Sequence, residues 1–180
     1  MISIDLSGGL VVVTGGAGSI GRAIARQAAQ AGASIAVCDT NIEEVEAVAA
    51  QIRTNGAVAK SFEMDVTEQV VVKQVMDRAV KELGPLRGLV TAAGVLRTGP
   101  LSSQSHEDWQ RVMAVNVDGT LHAVQAAIPH LESTHGSIVT LGVSRHSSAQ
   151  RMEGLTPLPR VPCSASVTRR PENWRQGVSA

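Results

Sequence analysis

Leu10-Val11-Val12-Val13-Thr14-Gly15-Gly16-Ala17-Gly18-Ser19-Ile20-Gly21 is the stretch that decides the fold. Its first four residues form an apolar, largely β-branched run, as a strand buried on both faces requires. The run stops at Thr14, and three of the next four residues are glycine. From Ser19 the period becomes helical: Ile20, Ala23, Ile24, Ala28 and Ala31 make one stripe, and Gly32 closes it. A turn of this kind, lacking Cβ atoms, lets backbone approach a pyrophosphate whose charge the helix N-terminus stabilises. A glycine-rich string also serves as an ordinary tight turn. Here the strand before it and the helix after it supply the context the motif needs.

Outward from that turn the pattern repeats. A strand over 34–38 precedes a helix over 41–55, with Asn41 as its N-cap and Gly56 past its end. Then come a strand over 57–63, a helix over about 67–83 stopped by Gly84-Pro85, and a strand over 87–92. A helical stretch from Ser105 to Leu131, with Pro129 near its end, leads to a last strand over 136–141. Strands alternating with helices of this length predict α/β architecture: a Rossmann-like, doubly wound parallel sheet of five strands. The expected domain is 1–142. After Leu141 neither period continues, and four of seven prolines and five arginines crowd into 151–180. Residues 143–180 are therefore expected to be an irregular or disordered tail.

Composition excludes several classes. Of 180 residues, 43% are hydrophobic and 18% charged, enough apolar side chains for a real core. Lys plus Arg and Asp plus Glu both number 16, which argues against a nucleic-acid partner, since a phosphate-backbone reader carries a basic excess. No apolar run approaches the roughly 18 residues of a membrane span, and the start lacks a signal-peptide layout, so no membrane association is expected. Two cysteines, Cys38 and Cys163, make neither a metal-type pair nor a disulfide framework. A cytoplasmic location is expected. The five histidines show no ligand spacing, so no metal is expected. Glu43, Glu44 and Glu46 read as the solvated first turns of a helix, favourable to its dipole.

Asp39 ends the second strand, 18 positions after Gly21. That is close to the spacing of an acid that accepts from the adenosine ribose hydroxyls, about 20 residues past the turn. A carboxylate there repels a 2′-phosphate, which favours NAD over NADP, although Arg22 nearby offsets part of that repulsion. Asp39 also suits a plainer role, helping to cap the helix that follows.

Five ordered stretches resemble the short-chain dehydrogenase/reductase family. They are Thr14-Gly15-x-x-x-Ser19-x-Gly21, Asp65-Val66 after the third strand, Thr91-Ala92-Ala93-Gly94 ending the fourth, Asn116 within AVNVDG, and GSIVTL at 136–141. Together they span residues 6 to about 142. The resemblance implies cofactor contacts at Gly15, Ser19, Ile20, Gly21, Asp39, Asp65, Val66, Ala92 and Gly94. It makes Asn116 the helix asparagine that holds an active-site water. Ser19 departs from the family's glycine or alanine, and Thr91 and Ala92 replace its two asparagines. Within the family, the string around Arg97, Trp109 and Asn116 is most similar to 2,3-dihydro-2,3-dihydroxybenzoate dehydrogenases, which pass hydride from a cyclic dihydrodiol to NAD. A small cyclic alcohol or dihydrodiol is then the implied substrate. Arg97 is suited to grip a substrate carboxylate, or is a solvated loop residue. The family's common assembly implies a homo-oligomer through the 105–131 helix.

The family's chemistry needs a tyrosine as proton donor and acceptor, with a lysine four residues later to lower its pKa. The chain contains no tyrosine, and its last lysine is Lys81. Pro157 or Leu158 stands at the tyrosine's place, and Val161 or Pro162 four residues on. The family's serine position falls on Val143, with Ser144 beside it as a shifted catalytic serine or a plain loop serine. Two accounts fit: a reading-frame slip after about Pro157, or a natural variant that kept the cofactor half and lost catalysis. Either predicts impaired catalysis. Either also predicts that Val112, Val115 and Leu121 lose cover and that the fold is marginally stable.

Overall fold

The computed structural model describes residues 5–142. The sheet is built from β1 (Leu10–Thr14), β2 (Ser34–Asp39), β3 (Ala59–Glu63), β4 (Leu86–Thr91) and β5 (Ser137–Thr140). Its order is β3-β2-β1-β4-β5, and every pairing is parallel. Parallel neighbours need crossovers, supplied by α1 (Ser19–Gln30), α2 (Ile42–Thr54), α3 (Gln69–Leu83), and α4 (His106–Met113) running into α5 (Gly119–Glu132). The expected Rossmann-like doubly wound sheet is present. The expected irregular tail and Ser144 lie outside the described residues.

The core divides into two layers, one on each face of the sheet. Val11, Val13, Ile35 and Val37 meet Ala25, Ala29, Val45, Val48 and Ile52 of α1 and α2 on one face. Leu10, Val12, Leu86 and Leu89 meet Val72, Met76, Ala123, Ala127 and Leu131 of α3 and α5 on the other. The alternation along β1 explains its unbroken apolar run, because each face has its own helical layer. Asn41 caps α2 as its position predicts, its side chain accepting from the Glu44 N–H at 3.2 Å. Cys38 is fully buried, and that burial, with the Asp39 charge beside it, pushes its thiol pKa well up.

Two expectations are corrected here. The packed stripe of α1 is Gly21, Ala25 and Ala29, whereas Ile20 is 62% exposed. Ile24 and Ala28 of the expected stripe pack partly against the same core, and a Cβ on Gly21 would overlap the Gly15 carbonyl. Val112 is buried at 2% exposure rather than stripped of cover, and Val115 packs partly on the α3–α5 core. Leu121, at 51% exposure, matches the expectation.

The long helical stretch is interrupted. Between α4 and α5, residues Ala114–Asp118 form one wide turn of π geometry. Such bulges re-aim side chains and recur at functional sites.

Candidate functional site

Parallel register brings the carboxyl ends of four strands into one row. Thr14 pairs with Cys38 on one side and with Thr91 on the other, while Asp39 pairs with Glu63 of β3. β1 and β4 are also where the strand order reverses, and a crevice opens there at the carboxyl edge of doubly wound sheets. The sequence-predicted residues of the glycine turn, Asp39, Asp65, Val66, Ala92 and Gly94 all lie along this edge.

The turn is built by close approach. Gly15 has φ +67°, and a Cβ there would sit 2.6 Å from the Ala92 carbonyl oxygen, within the Ala92–Ala93 peptide. A Cβ on Gly21 would overlap the Gly15 carbonyl. The Gly16 N–H donates to the Cys38 carbonyl at 2.9 Å, and the Ala92 N–H to the Thr14 carbonyl at 3.1 Å, which ties the turn to β2 and β4. No side chain caps α1 at Gly18, and the Arg22 N–H closes the first turn onto the Gly18 carbonyl. The N–H groups of Ser19, Ile20 and Gly21 thus stand ahead of the helical ladder, an arrangement suited to an anion.

Asp39 reaches across this turn. Its Oδ2 accepts from the Ala17 N–H at 3.1 Å, and its Oδ1 from the Thr40 N–H at 2.8 Å. It is not the cap of α2, a role Asn41 fills. Asp65 is exposed and accepts from the Thr67 N–H and hydroxyl, at 2.9 and 2.7 Å, closing the turn after β3. Val66 is buried at 7% exposure, and its carbonyl is 2.9 Å from His122 Nδ1.

Asn116 lies in the wide turn and clamps the loop after β4. Its Nδ2 donates to the Val95 carbonyl at 3.0 Å, and its Oδ1 accepts from the Val95 N–H at 2.8 Å. The Thr120 hydroxyl donates to the Asn116 main-chain carbonyl at 2.9 Å. Gly94 follows Ala93, whose N–H donates to Thr14 Oγ1 at 3.4 Å. Arg97, in the loop that follows β4, is half-exposed, with its Nε 3.0 Å from Asp108 Oδ1. The Thr91 hydroxyl is buried without a hydrogen-bond partner.

Sequence reasoning placed Arg22 near Asp39 but missed the partners that hold it. Its Nη2 donates to the Ala17 carbonyl at 3.0 Å and to Glu44 Oε2 at 3.1 Å. The spacing of Arg22 and Glu44, on successive crossover helices, carried no local signal. A surface cleft of about 330 Å³ lies at the opposite end of the sheet, between Gly32 and Gly56. No titratable side chain lines it. Among the described residues there is no cluster of His, Cys, Asp and Glu fit for a metal and no helix long and apolar enough to cross a membrane.

A glycine turn at a strand-order reversal, with an acid at the end of the adjacent strand, defines a Rossmann-like protein built on the dinucleotide-binding plan. The sequence profile of the family described as short chain dehydrogenase matches residues 9–154, and the chain belongs to that family. It is 36% identical over 138 residues to a 2,3-dihydro-2,3-dihydroxybenzoate dehydrogenase of Bacillus subtilis (strain 168), covering 76% of this chain and 53% of the relative. It is 38% identical over 142 residues to 2-(S)-hydroxypropyl-CoM dehydrogenase 3 of Xanthobacter autotrophicus (strain ATCC BAA-1158 / Py2), covering 78% and 56%. The crystal structure of a dehydrogenase/reductase from Sinorhizobium meliloti 1021 superposes with a TM-score of 0.74 at 35% identity, covering 78% of this chain and 56% of that one. The chain thus spans about half the length of these relatives.

Proposed function

We propose that these 180 residues bind NAD at the carboxyl edge of the sheet and descend from dehydrogenases of small cyclic alcohols or dihydrodiols, with hydride transfer impaired. The observation that carries this reading is the Asp39 carboxylate bonded to Ala17 N–H across the Gly15–Gly21 turn. The residues fit a dinucleotide. The turn, free of Cβ atoms at Gly15 and Gly21, packs tightly on its own backbone and on the Ala92–Ala93 peptide, and the uncapped start of α1 offers backbone N–H donors to a pyrophosphate. Ser19, Ile20 and Gly21 would hold the phosphates, Asp39 the adenosine ribose, Asp65 and Val66 the adenine, and Ala92 and Gly94 the nicotinamide side.

When bound, the nicotinamide supplies the hydride acceptor or donor. A carbonyl or alcohol also needs a proton moved at its oxygen, and the residues at hand are poor at that. The chain has no tyrosine, and Lys81, its last lysine, lies on the closing turn of α3 at the opposite edge of the sheet. Asn116 and Ser144 are the catalytic positions we assign as retained. Arg97 is assigned to a substrate carboxylate, which would compete with Asp108 for the guanidinium. The Bacillus relative's name supports a dihydrodiol acid as the ancestral substrate. A cytoplasmic setting and assembly through α4 and α5, where Leu121 and Ile128 are exposed, complete the reading.

The test is calorimetric titration of the chain with NADH and NADPH, followed by an assay of NAD reduction with 2,3-dihydro-2,3-dihydroxybenzoate. Saturable NADH binding at 1:1 without NADH formation is expected. A folded chain that binds neither nucleotide contradicts the binding reading; sustained turnover contradicts the impairment.

A further inference from the structure

A cation and an anion hold the two peptides that flank Ala17 in the glycine turn. Asp39 Oδ2 accepts from the Ala17 N–H, while Arg22 Nη2 donates to the Ala17 carbonyl. The guanidinium and the carboxylate are therefore both anchored on Ala17. It forms its ion pair instead with Glu44, at 3.1 Å, on the first turn of α2. Glu44 is positioned in turn by Asn41, whose side chain accepts from the Glu44 N–H. Arg22 Nε is buried with no partner, so the guanidinium carries donor capacity that the pair with Glu44 does not use.

We propose that Glu44 is a specificity-determining positioning residue, which sequesters Arg22 and so keeps the ribose end of the site closed to a 2′-phosphate. This rests on the reading of the carboxyl edge as a dinucleotide site. A 2′-phosphate beside Asp39 meets like charge and needs a guanidinium, which binds phosphate oxygens as a rigid fork. Arg22 is the cation bonded to the same residue, Ala17, that Asp39 bonds. With Glu44 in place, Nη2 is shared between the Ala17 carbonyl and a carboxylate, and a phosphate arriving there meets two acids. Without the Glu44 charge, the guanidinium loses its ion-pair partner and keeps only neutral acceptors, so its charge and its free donors can turn to the phosphate. Discrimination against NADP is then divided between repulsion by Asp39 and sequestration by Glu44.

The test is calorimetric titration with NADH and with NADPH of the wild-type chain, Glu44→Gln, Glu44→Gln with Arg22→Ala, and Glu43→Gln. Glu43 is an exposed acid on the same turn of α2 and controls for loss of one negative charge nearby. Glu44→Gln is expected to shift the NADPH-to-NADH affinity ratio about tenfold toward NADPH. Adding Arg22→Ala should cancel that shift, and Glu43→Gln should move the ratio less than twofold. An unchanged ratio in Glu44→Gln, when the wild type binds NADH, overturns this inference alone. So does a shift that survives loss of Arg22 or is matched by Glu43→Gln. A folded wild type that binds neither nucleotide overturns the inference together with the reading beneath it.

Discussion

The two flanks of the sheet are finished to different degrees. Every residue of β1 is buried, and β2 keeps Ile35 through Cys38 at 0% exposure, with helices on both faces and a strand on each side. All four residues of β5 are only half-buried, and among the described residues β5 pairs with β4 alone. Exposed Leu121, Ile128 and Leu141 lie on the same flank. A parallel strand gains full burial only when both edges and both faces are covered. β1 and β2, which carry the glycine turn and Asp39, meet that condition, whereas their edge neighbour β3 is exposed at Lys60 and Glu63. On the other side, β5 is half-buried along its whole length.

The sharpest way to break the complete flank is Gly15→Ala. The residue would have to keep a left-handed φ and drive its Cβ into the Ala92–Ala93 peptide. A loss on the order of 3 kcal/mol is expected, with loss of nucleotide binding, read by denaturant titration and calorimetry. The comparison itself is tested by making one chemical change on each flank. Ile35→Ala, at a site with 0% exposure, should cost about 3 kcal/mol, whereas Ile138→Ala on half-buried β5 should cost about 1. Equal costs would mean that the flanks do not differ in packing.

Where the flanks meet, Thr91→Val should stabilise the fold by about 1 kcal/mol, because it removes a buried hydroxyl that has no partner while keeping the side chain's shape. A lower melting temperature in this variant would show that the hydroxyl is bonded after all. The smallest effect concerns surface charge at the far end of α3. Hydrogen bonds from Arg78 and Lys60 lower the Glu82 pKa from 4.5 to about 2. A depressed carboxylate pKa contributes stability above its unfolded value and loses it as pH falls through the folded one. Melting temperature should therefore decline slightly between about pH 4.5 and 2, and Glu82→Gln should flatten that slope.

Much of this was legible in the sequence where the signal is local. Strand and helix periods, the glycine turn, Asp39 and the Asn41 cap each depend on a few neighbouring residues and lie close to where the pattern puts them. The misreadings have longer-range causes. The 105–131 helix reads as continuous, yet it opens into a wide turn because Asn116 bonds the backbone of Val95, 21 positions away. The buried line of α1 runs through Gly21 and Ala25, where the helix meets the Gly15 carbonyl of the turn, and leaves Ile20 exposed. The pairing of Arg22 with Glu44 depends on how two crossover helices lie side by side, and no period records that.

The central claim is that the finished flank binds dinucleotide at the carboxyl edge of β1, β2 and β4. Its most direct test is amide hydrogen exchange of the chain with and without saturating NADH, read by mass spectrometry. The account predicts added protection in peptides covering residues 14–22 and 91–95, with none at 55–58 beside the opposite cleft. Protection confined to that cleft, or none anywhere in a folded chain, would contradict it.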